Sequence, residues 1–312
     1  MVEIIRIDDW PVVERWTTTG SRNKIWVSEI PPDVTGFFLF KESHQRYPWE
    51  FWTEIIAYQF GLLVDVPVPR TRCASLKDIY GALIDYIPKT VFGKENDRAT
   101  SLTVEQMFDG GEWILKLDPT FDRKQGTKHN IYQVEKILDK GEFRQFCRTL
   151  VFDALTGNTD RHQDNWALLV SVRANAKKTV ERRLAPAYDN ASSLGTNLME
   201  EALSRYVGSE KDLERFILKG RQHLRWSEDG KELVQFNHFD FLKRLSQKHA
   251  FLRNDVEQLS SFDAAKFHTI PTSLIETPLA DSKYRLTPLR ADFVCRYVFK
   301  RREMLRSAFG LH

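Results

Sequence analysis

Two periodicities of apolar residues alternate along the chain, and together they predict a protein of mixed α and β structure. Residues 37–41 form an apolar run of strand length, and the pattern over residues 48–60 is typical of a helix. This helix has Pro48 in its first turn and Gly61 just past its predicted end. A further strand is predicted over residues 81–88, so the first part of the chain should be mostly β.

The middle of the chain predicts a helix, a loop and a β-hairpin, in that order. Apolar residues at helical spacing begin at Phe143 and continue to Ala154, and Gly157 follows as a signal for the helix end. Residues 166–170 form a short apolar run, and a second strand is predicted around residues 180–187. The residues between the two strands are polar, as expected for a turn.

The C-terminal part carries helical patterns without recognisable motifs. Residues 208–214 and 239–247 are predicted to be helical, and residues 293–306 form a basic amphipathic pattern. Such a helix could dock a partner or an RNA-bearing target. The favoured interpretation is a packed terminal helix whose basic face is solvated.

A polar segment divides the chain into two predicted lobes. Residues 89–111 are rich in Thr, Asp and Gly and mark the predicted boundary. We therefore expect a mostly β N-lobe over residues 1–90 and a mostly helical C-lobe over residues 91–312, an α+β bilobal fold. A chain of 312 residues suits one such unit and can bury a substantial core.

Composition narrows the class of protein. Charged residues make up 29% and apolar residues 42% of the chain, as in soluble globular proteins. The net charge of +3 is too small to argue for direct nucleic-acid binding. Cys73, Cys147 and Cys295 are far apart and form no CxxC pair, which predicts reduced thiols in a cytoplasmic protein. The N-terminus does not resemble a signal peptide, and no apolar run is long enough to span a membrane.

The chemistry-bearing residues concentrate in residues 158–165, which are followed by the motif Tyr-Asp-Asn at residues 188–190. Asp160 and Asn165 are five positions apart, the spacing of the catalytic Asp and the metal-binding Asn in a protein-kinase catalytic loop. Asp189 follows the predicted hairpin, where a second magnesium-holding carboxylate is needed. Capping of turns is the alternative for these residue types, but the helix, loop and hairpin around them favour a kinase.

Phosphoryl transfer requires a carboxylate near the attacking hydroxyl and oxygen ligands that hold Mg²⁺ against the ATP phosphates. We therefore predict Asp160 as the catalytic residue, Asn165 and Asp189 as metal ligands, and ATP and Mg²⁺ as cofactors. His162 is interpreted as a loop-orienting residue or a nucleotide neighbour, because Asp160 already fills the role of the base. Tyr188 precedes the metal-binding Asp189 and is included in the predicted nucleotide site.

The string Asn-Thr-Asp-Arg-His-x-x-Asn at residues 158–165, with Tyr188 and Asp189, resembles the HipA-like serine/threonine kinases of bacterial toxin–antitoxin systems. That family places a His two residues after the catalytic Asp, as His162 is placed here. The resemblance implies a serine/threonine protein kinase that acts as a toxin, with a small antitoxin protein as a partner. It also implies a translation factor, such as an aminoacyl-tRNA synthetase, as the substrate.

Two other functions stay open at this point. Phosphoinositide kinases share an Asp-Arg-His-x-x-Asn string, so a lipid or small-molecule acceptor is the first alternative. A nucleotide-binding pseudokinase that serves as an interaction module is the second. The pseudokinase is disfavoured because Lys41, Asp160, Asn165 and Asp189 are all present.

Residues 17–24 are similar to the HipA-like phosphate-binding loop, in which a Lys follows four residues after a Gly. Backbone amides near a Gly can approach phosphate oxygens, and a Lys adds positive charge. The residues predicted to bind the nucleotide here are Thr19, Gly20, Ser21, Arg22, Asn23 and Lys24. The resemblance also implies autophosphorylation of a hydroxyl residue three positions before the Gly. Thr17 occupies that position, with Thr19 and Ser21 as alternatives.

Longer members of the family carry an additional domain before this loop, whereas 16 residues precede Thr17 here. The chain therefore resembles the compact members of the family. An antitoxin contact made by the additional domain is not implied for this chain.

Lys41 ends the apolar strand at residues 37–41 and is predicted to contact the α- and β-phosphates of ATP. A carboxylate on the following apolar helix needs a cationic partner, because its unpaired burial is costly. Glu54 is the favoured partner of Lys41 because its neighbours on both sides are apolar, and Glu50 is the rival.

The end of the strand at residues 81–88 is predicted to lead into a hinge that contacts adenine. The backbone of Asp85, Tyr86 and Ile87 would make this contact.

Overall fold

The computed structural model describes residues 3–14, 23–29, 36–88, 90–95, 98–126, 128–174 and 179–311. The first sheet has the strand order β1-β4-β5-β3-β2, in which β1 and β4 are parallel and the other neighbours antiparallel. Its strands are β1 (Ile5–Arg6), β2 (Lys24–Ser28), β3 (Phe37–Glu42), β4 (Thr71–Leu76) and β5 (Ile79–Asp85). The strands predicted over residues 37–41 and 81–88 therefore correspond to β3 and β5.

Helix α1 (Glu50–Val64) connects β3 to β4 and packs on β4 and β5. It begins two residues later than predicted and continues four residues beyond the predicted end at Phe60. The prediction that Gly61 follows the helix is wrong, because Gly61 lies inside it. A Cβ at this position would come within 2.6 Å of the Val68 side chain, so a glycine permits the following segment to pack closely. Asp65 ends the helix in the left-handed conformation, with φ of 55°.

The second sheet is antiparallel throughout, with the strand order β6-β7-β8-β9. Its strands are β6 (Thr90–Glu95), β7 (Arg98–Asp109), β8 (Ala167–Ala174) and β9 (Thr179–Leu184). The hairpin predicted after residues 158–165 is thus confirmed as β8 and β9. The polar segment at residues 89–111 is not an irregular connection. It contains β6 and β7, and β7 pairs with β8 over eight residue pairs.

The remaining helices form the larger, C-terminal part of the molecule. They are α2 (Gly110–Leu117), α3 (Ile131–Ile137), α4 (Lys140–Thr156), α5 (Glu200–Gly208), α6 (Glu210–Lys219), α7 (His238–Lys248), α8 (Phe251–Ser260), α9 (Ala264–Leu274) and α10 (Pro288–Ala308). Helix α4 is central and packs against α7, α8 and α10. The fold is therefore α+β, with a sheet-rich N-terminal part and a largely helical C-terminal part. The division at residue 90 stays a prediction.

Helix α10 is a packed terminal helix rather than an exposed docking element. Phe293, Val294, Tyr297 and Val298 are all buried on it. Lys300, one of its basic residues, donates to the Glu210 carboxylate at 2.7 Å, so part of its charge is neutralised within the chain. The interpretation favoured from the sequence agrees with this arrangement.

The two parts of the molecule share one hydrophobic core. Phe60 on α1 packs against Phe152 on α4, with ring centroids 5.5 Å apart. It also packs against Phe262 and Phe267, at centroid distances of 5.0 and 4.8 Å. The Trp52 indole donates to the carbonyl oxygen of Tyr284 at 2.7 Å. Among the described residues, no helix is both long and apolar enough to cross a membrane.

Gly157 ends α4 with φ of 74°, and it supports a first prediction. A Cβ here would come within 2.8 Å of the Tyr297 ring, so alanine would combine an unfavourable backbone with overpacking. We expect Gly157→Ala to lower the free energy of unfolding by about 2–4 kcal/mol in urea titration. Gly208→Ala is the control, because no atom lies within 4 Å of the added Cβ. Equal stability of the two variants would contradict the prediction.

Candidate active site

The centre of the site is a group of three charged side chains, of which Lys41 and Glu54 are buried and Asp189 is partly exposed. Nζ of Lys41 on β3 donates to Oε1 of Glu54 at 2.7 Å and to Oδ1 of Asp189 at 2.5 Å. Glu54 lies on α1, and its other oxygen accepts from the backbone amide of Asn190 at 3.0 Å. Glu54 is therefore the partner of Lys41. The rival Glu50 instead accepts from the backbone amide of His44 at 2.8 Å.

In this group, burial and ion pairing shift the pKa values of Lys41 and Asp189 in opposite directions. Burial disfavours the charged form of Asp189, but the ammonium groups of Lys41 and Lys24 outweigh it and hold the pKa of Asp189 well below its ordinary value. Burial likewise acts to lower the pKa of Lys41, and the carboxylates of Asp189 and Glu54 raise it well above its ordinary value. Lys41 and Asp189 are consequently ionised at neutral pH. Lys24 lies directly opposite Lys41 in the pairing of β2 and β3.

The loop between α4 and β8 holds Asp160 through its backbone. The amide of Asp160 donates to Oδ1 of Asn158 at 3.0 Å, and its carbonyl oxygen accepts from Nδ2 of Asn165 at 2.7 Å. Nδ2 of Asn165 is engaged in this hydrogen bond, so Oδ1 is the side-chain atom of Asn165 that can coordinate a metal ion. Ser192 donates a long hydrogen bond of 3.4 Å to the Asp160 carboxylate.

The donor set fits Mg²⁺. Asn165 offers one amide oxygen, and Asp189 offers the carboxylate oxygen that Lys41 does not occupy. Mg²⁺ is usually bound by one or two protein oxygens while phosphates and water complete its octahedron. Within the described ranges, no three His, Cys, Asp or Glu side chains are grouped to hold a metal ion by themselves.

The sequence model described as HipA-like C-terminal domain matches residues 16–244 of this chain. The chain belongs to this family. The matched segment includes Lys41, Glu54, Asp160, Asn165 and Asp189. No curated protein matches the chain.

A solved kinase structure shares this fold. The proinflammatory kinase CtkA of Helicobacter pylori superposes with a TM-score of 0.72 at 16% identity, covering 98% of this chain and 96% of that one. HipA of Shewanella oneidensis MR-1, solved with HipB and operator DNA, gives a TM-score of 0.48 at 12% identity and covers 97% and 68% of the two chains. The CtkA comparison confirms that this HipA-like chain has a kinase-like fold.

Arg161 is the main structural residue of the site that the sequence did not single out. Its guanidinium is fully buried and makes two hydrogen bonds to the Asp153 carboxylate, at 3.0 and 2.7 Å. It also donates to the carbonyl oxygens of Asn165 and Tyr188 and, at 2.8 Å, to Oδ1 of Asn190. Arg161 thus joins α4, the catalytic loop and the Asp189 segment of this HipA-like chain. The sequence signal for such a role is its place between Asp160 and His162.

His162 and Tyr188 take part in the hydrogen bonding of the loop. Nδ1 of His162 accepts from the amide of Asp164 at 3.1 Å, and the hydroxyl of Tyr188 donates to the carbonyl oxygen of Asp164 at 2.9 Å. Tyr188 also packs against the small apolar cluster of Ala167, Leu169 and Ala185. Burial raises the pKa of Tyr188 well above its usual range, so the hydroxyl stays protonated. These contacts fit the loop-orienting interpretation of His162.

In the predicted hinge, two backbone amides already have hydrogen-bond partners within the protein. The amide of Asp85 donates to the carbonyl oxygen of Arg70, and the amide of Tyr86 donates to that of Phe37, both at 2.9 Å. These two amides are therefore engaged within the first sheet. A backbone contact to adenine from this segment would use a carbonyl oxygen or the amide of Ile87.

Part of the predicted phosphate-binding loop lies outside the described residues, namely Thr17, Thr19, Gly20, Ser21 and Arg22. The end of the loop is described. Nδ2 of Asn23 donates to the carboxylate of Glu42 at 3.1 Å. Lys24 begins β2 and contributes to the field around Asp189.

His238, at the start of α7, contacts the loop at residues 158–165. Nε2 of His238 lies 2.7 Å from the carbonyl oxygen of Asn158, and Nδ1 lies 3.1 Å from Nη2 of Arg301. Both side chains are buried. Burial lowers the pKa of His238 to about 3, and the Arg301 charge acts in the same direction.

A pH dependence of stability follows from this neutral histidine. Between about pH 6.5, the ordinary histidine pKa, and its folded value, the unfolded chain binds a proton that the folded chain does not. Stability should therefore fall on acidification, with His238 contributing up to about 1.4 kcal/mol per pH unit. We expect a shallower fall for His238→Gln in urea titrations between pH 7 and pH 5. Identical slopes for the two proteins would contradict this assignment.

Proposed function

We propose that this HipA-like chain is an ATP- and Mg²⁺-dependent serine/threonine protein kinase. The observation that carries the proposal is the convergence of Lys41, Glu54 and Asp189 in one largely buried ion-pair group. Arg161 ties the Asp160 loop to the segment that carries Asp189. A charge pair that positions phosphates, a metal-binding carboxylate and an adjacent base are the parts that phosphoryl transfer needs.

The proposed binding step uses residues from both parts of the molecule. Lys41 and Lys24 would contact the ATP phosphates, supported by backbone amides around Gly20. Asn165 and Asp189 would hold Mg²⁺, which neutralises charge on the β- and γ-phosphate oxygens. Glu54 keeps the Lys41 ammonium in place, because the 2.7 Å bond fixes its Nζ between two carboxylates.

The proposed chemical step uses Asp160. Its carboxylate orients the hydroxyl of a serine or threonine and accepts the hydroxyl proton as the bond from that oxygen to the γ-phosphorus forms. The bond between the γ-phosphorus and the bridging oxygen breaks, and ADP leaves. The hydrogen bonds from Asn158 and Asn165 to the backbone of Asp160 limit the movement of this residue during the step.

The experiment that tests this function incubates the purified protein with γ-labelled ATP, Mg²⁺ and a cell lysate. The label is then followed separately in the protein fraction and in an organic extract, and the labelled species are identified by mass spectrometry. Label on serine or threonine supports a protein kinase. Label found only in lipids or small molecules favours the alternative acceptor class, and ATP binding without any label favours a pseudokinase.

We further propose that the chain acts as a toxin on a translation factor such as an aminoacyl-tRNA synthetase, with a small antitoxin as its partner. Membership of the HipA-like family is the support for this role. The test induces the wild-type chain and Asp160→Asn in the native host lacking any candidate antitoxin. Growth arrest by the wild-type chain only supports a toxin. Arrest by neither chain favours a small-molecule or housekeeping kinase.

A further prediction concerns self-regulation at Thr17. A phosphate adds about two negative charges, which would repel the ATP phosphates and displace the loop from the site. We expect phosphate on Thr17 in protein purified from cells, and weaker ATP binding by the modified form. Phosphopeptide mapping and calorimetry of separated forms would test this. An unmodified loop in active preparations would count against this prediction. Phosphate found on Thr19 or Ser21 would assign the autophosphorylation to that residue instead of Thr17.

A further inference from the structure

We propose that His238 and Arg301 are positioning residues of the catalytic loop at residues 158–165. They act on this loop through the backbone of Asn158. The proposal rests on the proposed function, because it takes Asp160 as the catalytic base. Neither side chain touches the charged group formed by Lys41, Glu54 and Asp189. Both act through Asn158, whose side chain binds the amide of Asp160 at 3.0 Å.

The protonation state of His238 follows from its two partners. A guanidinium can only donate hydrogen bonds, so Nδ1 of His238 accepts from Nη2 of Arg301 at 3.1 Å. The proton of the neutral ring is therefore on Nε2, which donates to the carbonyl oxygen of Asn158 at 2.7 Å. Three hydrogen bonds in series then connect Arg301 on α10 to the backbone of Asp160.

The surroundings of Arg301 make it a fixed anchor. It is 1% exposed, and its Nε donates to the carbonyl oxygen of Ala154 in the last turn of α4 at 2.6 Å. Nη1 donates to the hydroxyl of Tyr297 at 3.1 Å. In the described part of the chain, Arg301 makes no direct salt bridge. A buried cation that is held by neutral acceptors is costly compared with an apolar side chain of similar size.

The same face of α10 supports the start of the loop in a second way. Tyr297, one turn before Arg301, packs so closely beneath Gly157 that a Cβ there would clash with its hydroxyl. Phe293, a further turn back, lies beneath Gly195 in the same manner, at 2.6 Å from the position of a Cβ. One stripe of α10 therefore contacts both the catalytic loop and the segment that follows Asp189. This stripe lies outside the matched segment, residues 16–244.

Two substitutions of His238 separate its two hydrogen bonds. In His238→Gln, the side-chain amide nitrogen can take the place of Nε2 and keep the donor to Asn158. In His238→Asn, the shorter amide can take the place of Nδ1 and keep the acceptor for Arg301, but the donor to Asn158 is lost. Both variants remove the imidazole, so each is the control for the other in thermal unfolding.

The expected result is a difference in kcat without a difference in nucleotide binding. We expect His238→Gln to keep kcat within about three-fold of the wild type and His238→Asn to lose about ten- to 100-fold, the scale of a small misplacement of a reacting group. The KM for ATP should stay within about two-fold in both, because the Lys41 group is untouched. Equal kcat values in two folded variants would overturn the proposal.

Hydrogen exchange of the Asp160 amide gives a readout that does not depend on activity. With Asp160 followed by NMR, exchange should be at least about ten-fold faster in His238→Asn than in His238→Gln, because a looser Asn158 protects this amide less. Equal exchange rates would overturn the positioning role even if the wild-type protein transferred no phosphate. Absence of transfer by the wild type would instead remove the proposed function. If His238→Asn does not fold, Arg301→Lys, which lacks the Nη2 donor, replaces it with the same expectations.

Discussion

Asp160→Asn is expected to lower phosphate transfer by about 10²- to 10⁴-fold, the range that general-base groups contribute. Affinity for ATP should be nearly unchanged, because Asp160 is bonded to Asn158, Asn165 and Ser192 rather than to Lys41. Turnover assays and calorimetric titration with ATP would measure the two quantities. Near-wild-type turnover in the purified variant would show that Asp160 is not the catalytic base.

Asp189→Asn should behave differently, because Asp189 is proposed to hold the metal. We expect both transfer and Mg²⁺-dependent ATP binding to be lost, whereas ATP binding without Mg²⁺ should change little. Asp164→Asn is the matched control. Asp164 lies in the same loop as Asp160, but its carboxylate is bonded to Arg123 at 3.0 Å. A loss of ATP binding in Asp164→Asn as large as that in Asp189→Asn would contradict the division of roles.

Arg161→Met is expected to lower the free energy of unfolding by about 3–5 kcal/mol and to abolish transfer. The substitution removes the partner of Asp153, which is fully buried, and leaves an uncompensated carboxylate in the core. It also releases the carbonyl oxygens of Asn165 and Tyr188 and the side chain of Asn190. Denaturant titration and the transfer assay would measure both losses.

A double variant separates stability from positioning at Arg161. In Asp153→Asn/Arg161→Met the buried negative charge is absent, so much of the lost stability should return. Transfer should stay low, because the loop and the Asp189 segment are still not joined. If the double variant recovers transfer together with stability, Arg161 only compensates a charge and does not organise the site.

Local motifs of this chain could be predicted from its sequence because they depend on short-range spacing. The Asp160 loop, the hairpin of β8 and β9, and Lys41 at the end of its strand all follow from patterns within a few residues. Strands β6 and β7 were missed because their polar sequence resembles a connection. Strand β7 pairs with β8, which is distant in the sequence, and β6 in turn pairs with β7.

Long-range contacts set the limit of such predictions. The choice between Glu50 and Glu54 required the position of Lys41 across the helix–sheet interface. His238 is 80 residues from Asn158, and no local pattern connects the two. Gly61 lies inside α1, where Val68 leaves no room for a Cβ, and this packing requirement is not distinguishable in the sequence from a helix-end signal.

Embedding of α1 in the shared core has a consequence for regulation and inhibition. Many protein kinases are switched by movement of the helix that carries the glutamate partner of the active-site lysine. Here that helix would have to withdraw Phe60 from Phe152, Phe262 and Phe267, at a cost of about 1.5–3 kcal/mol for the phenylalanine alone. This cost alone would leave the outward state at roughly 1–10% of the molecules, so an inhibitor that selects an outward helix would lose affinity in proportion. Drug-like compounds against this chain should instead compete for the proposed nucleotide site.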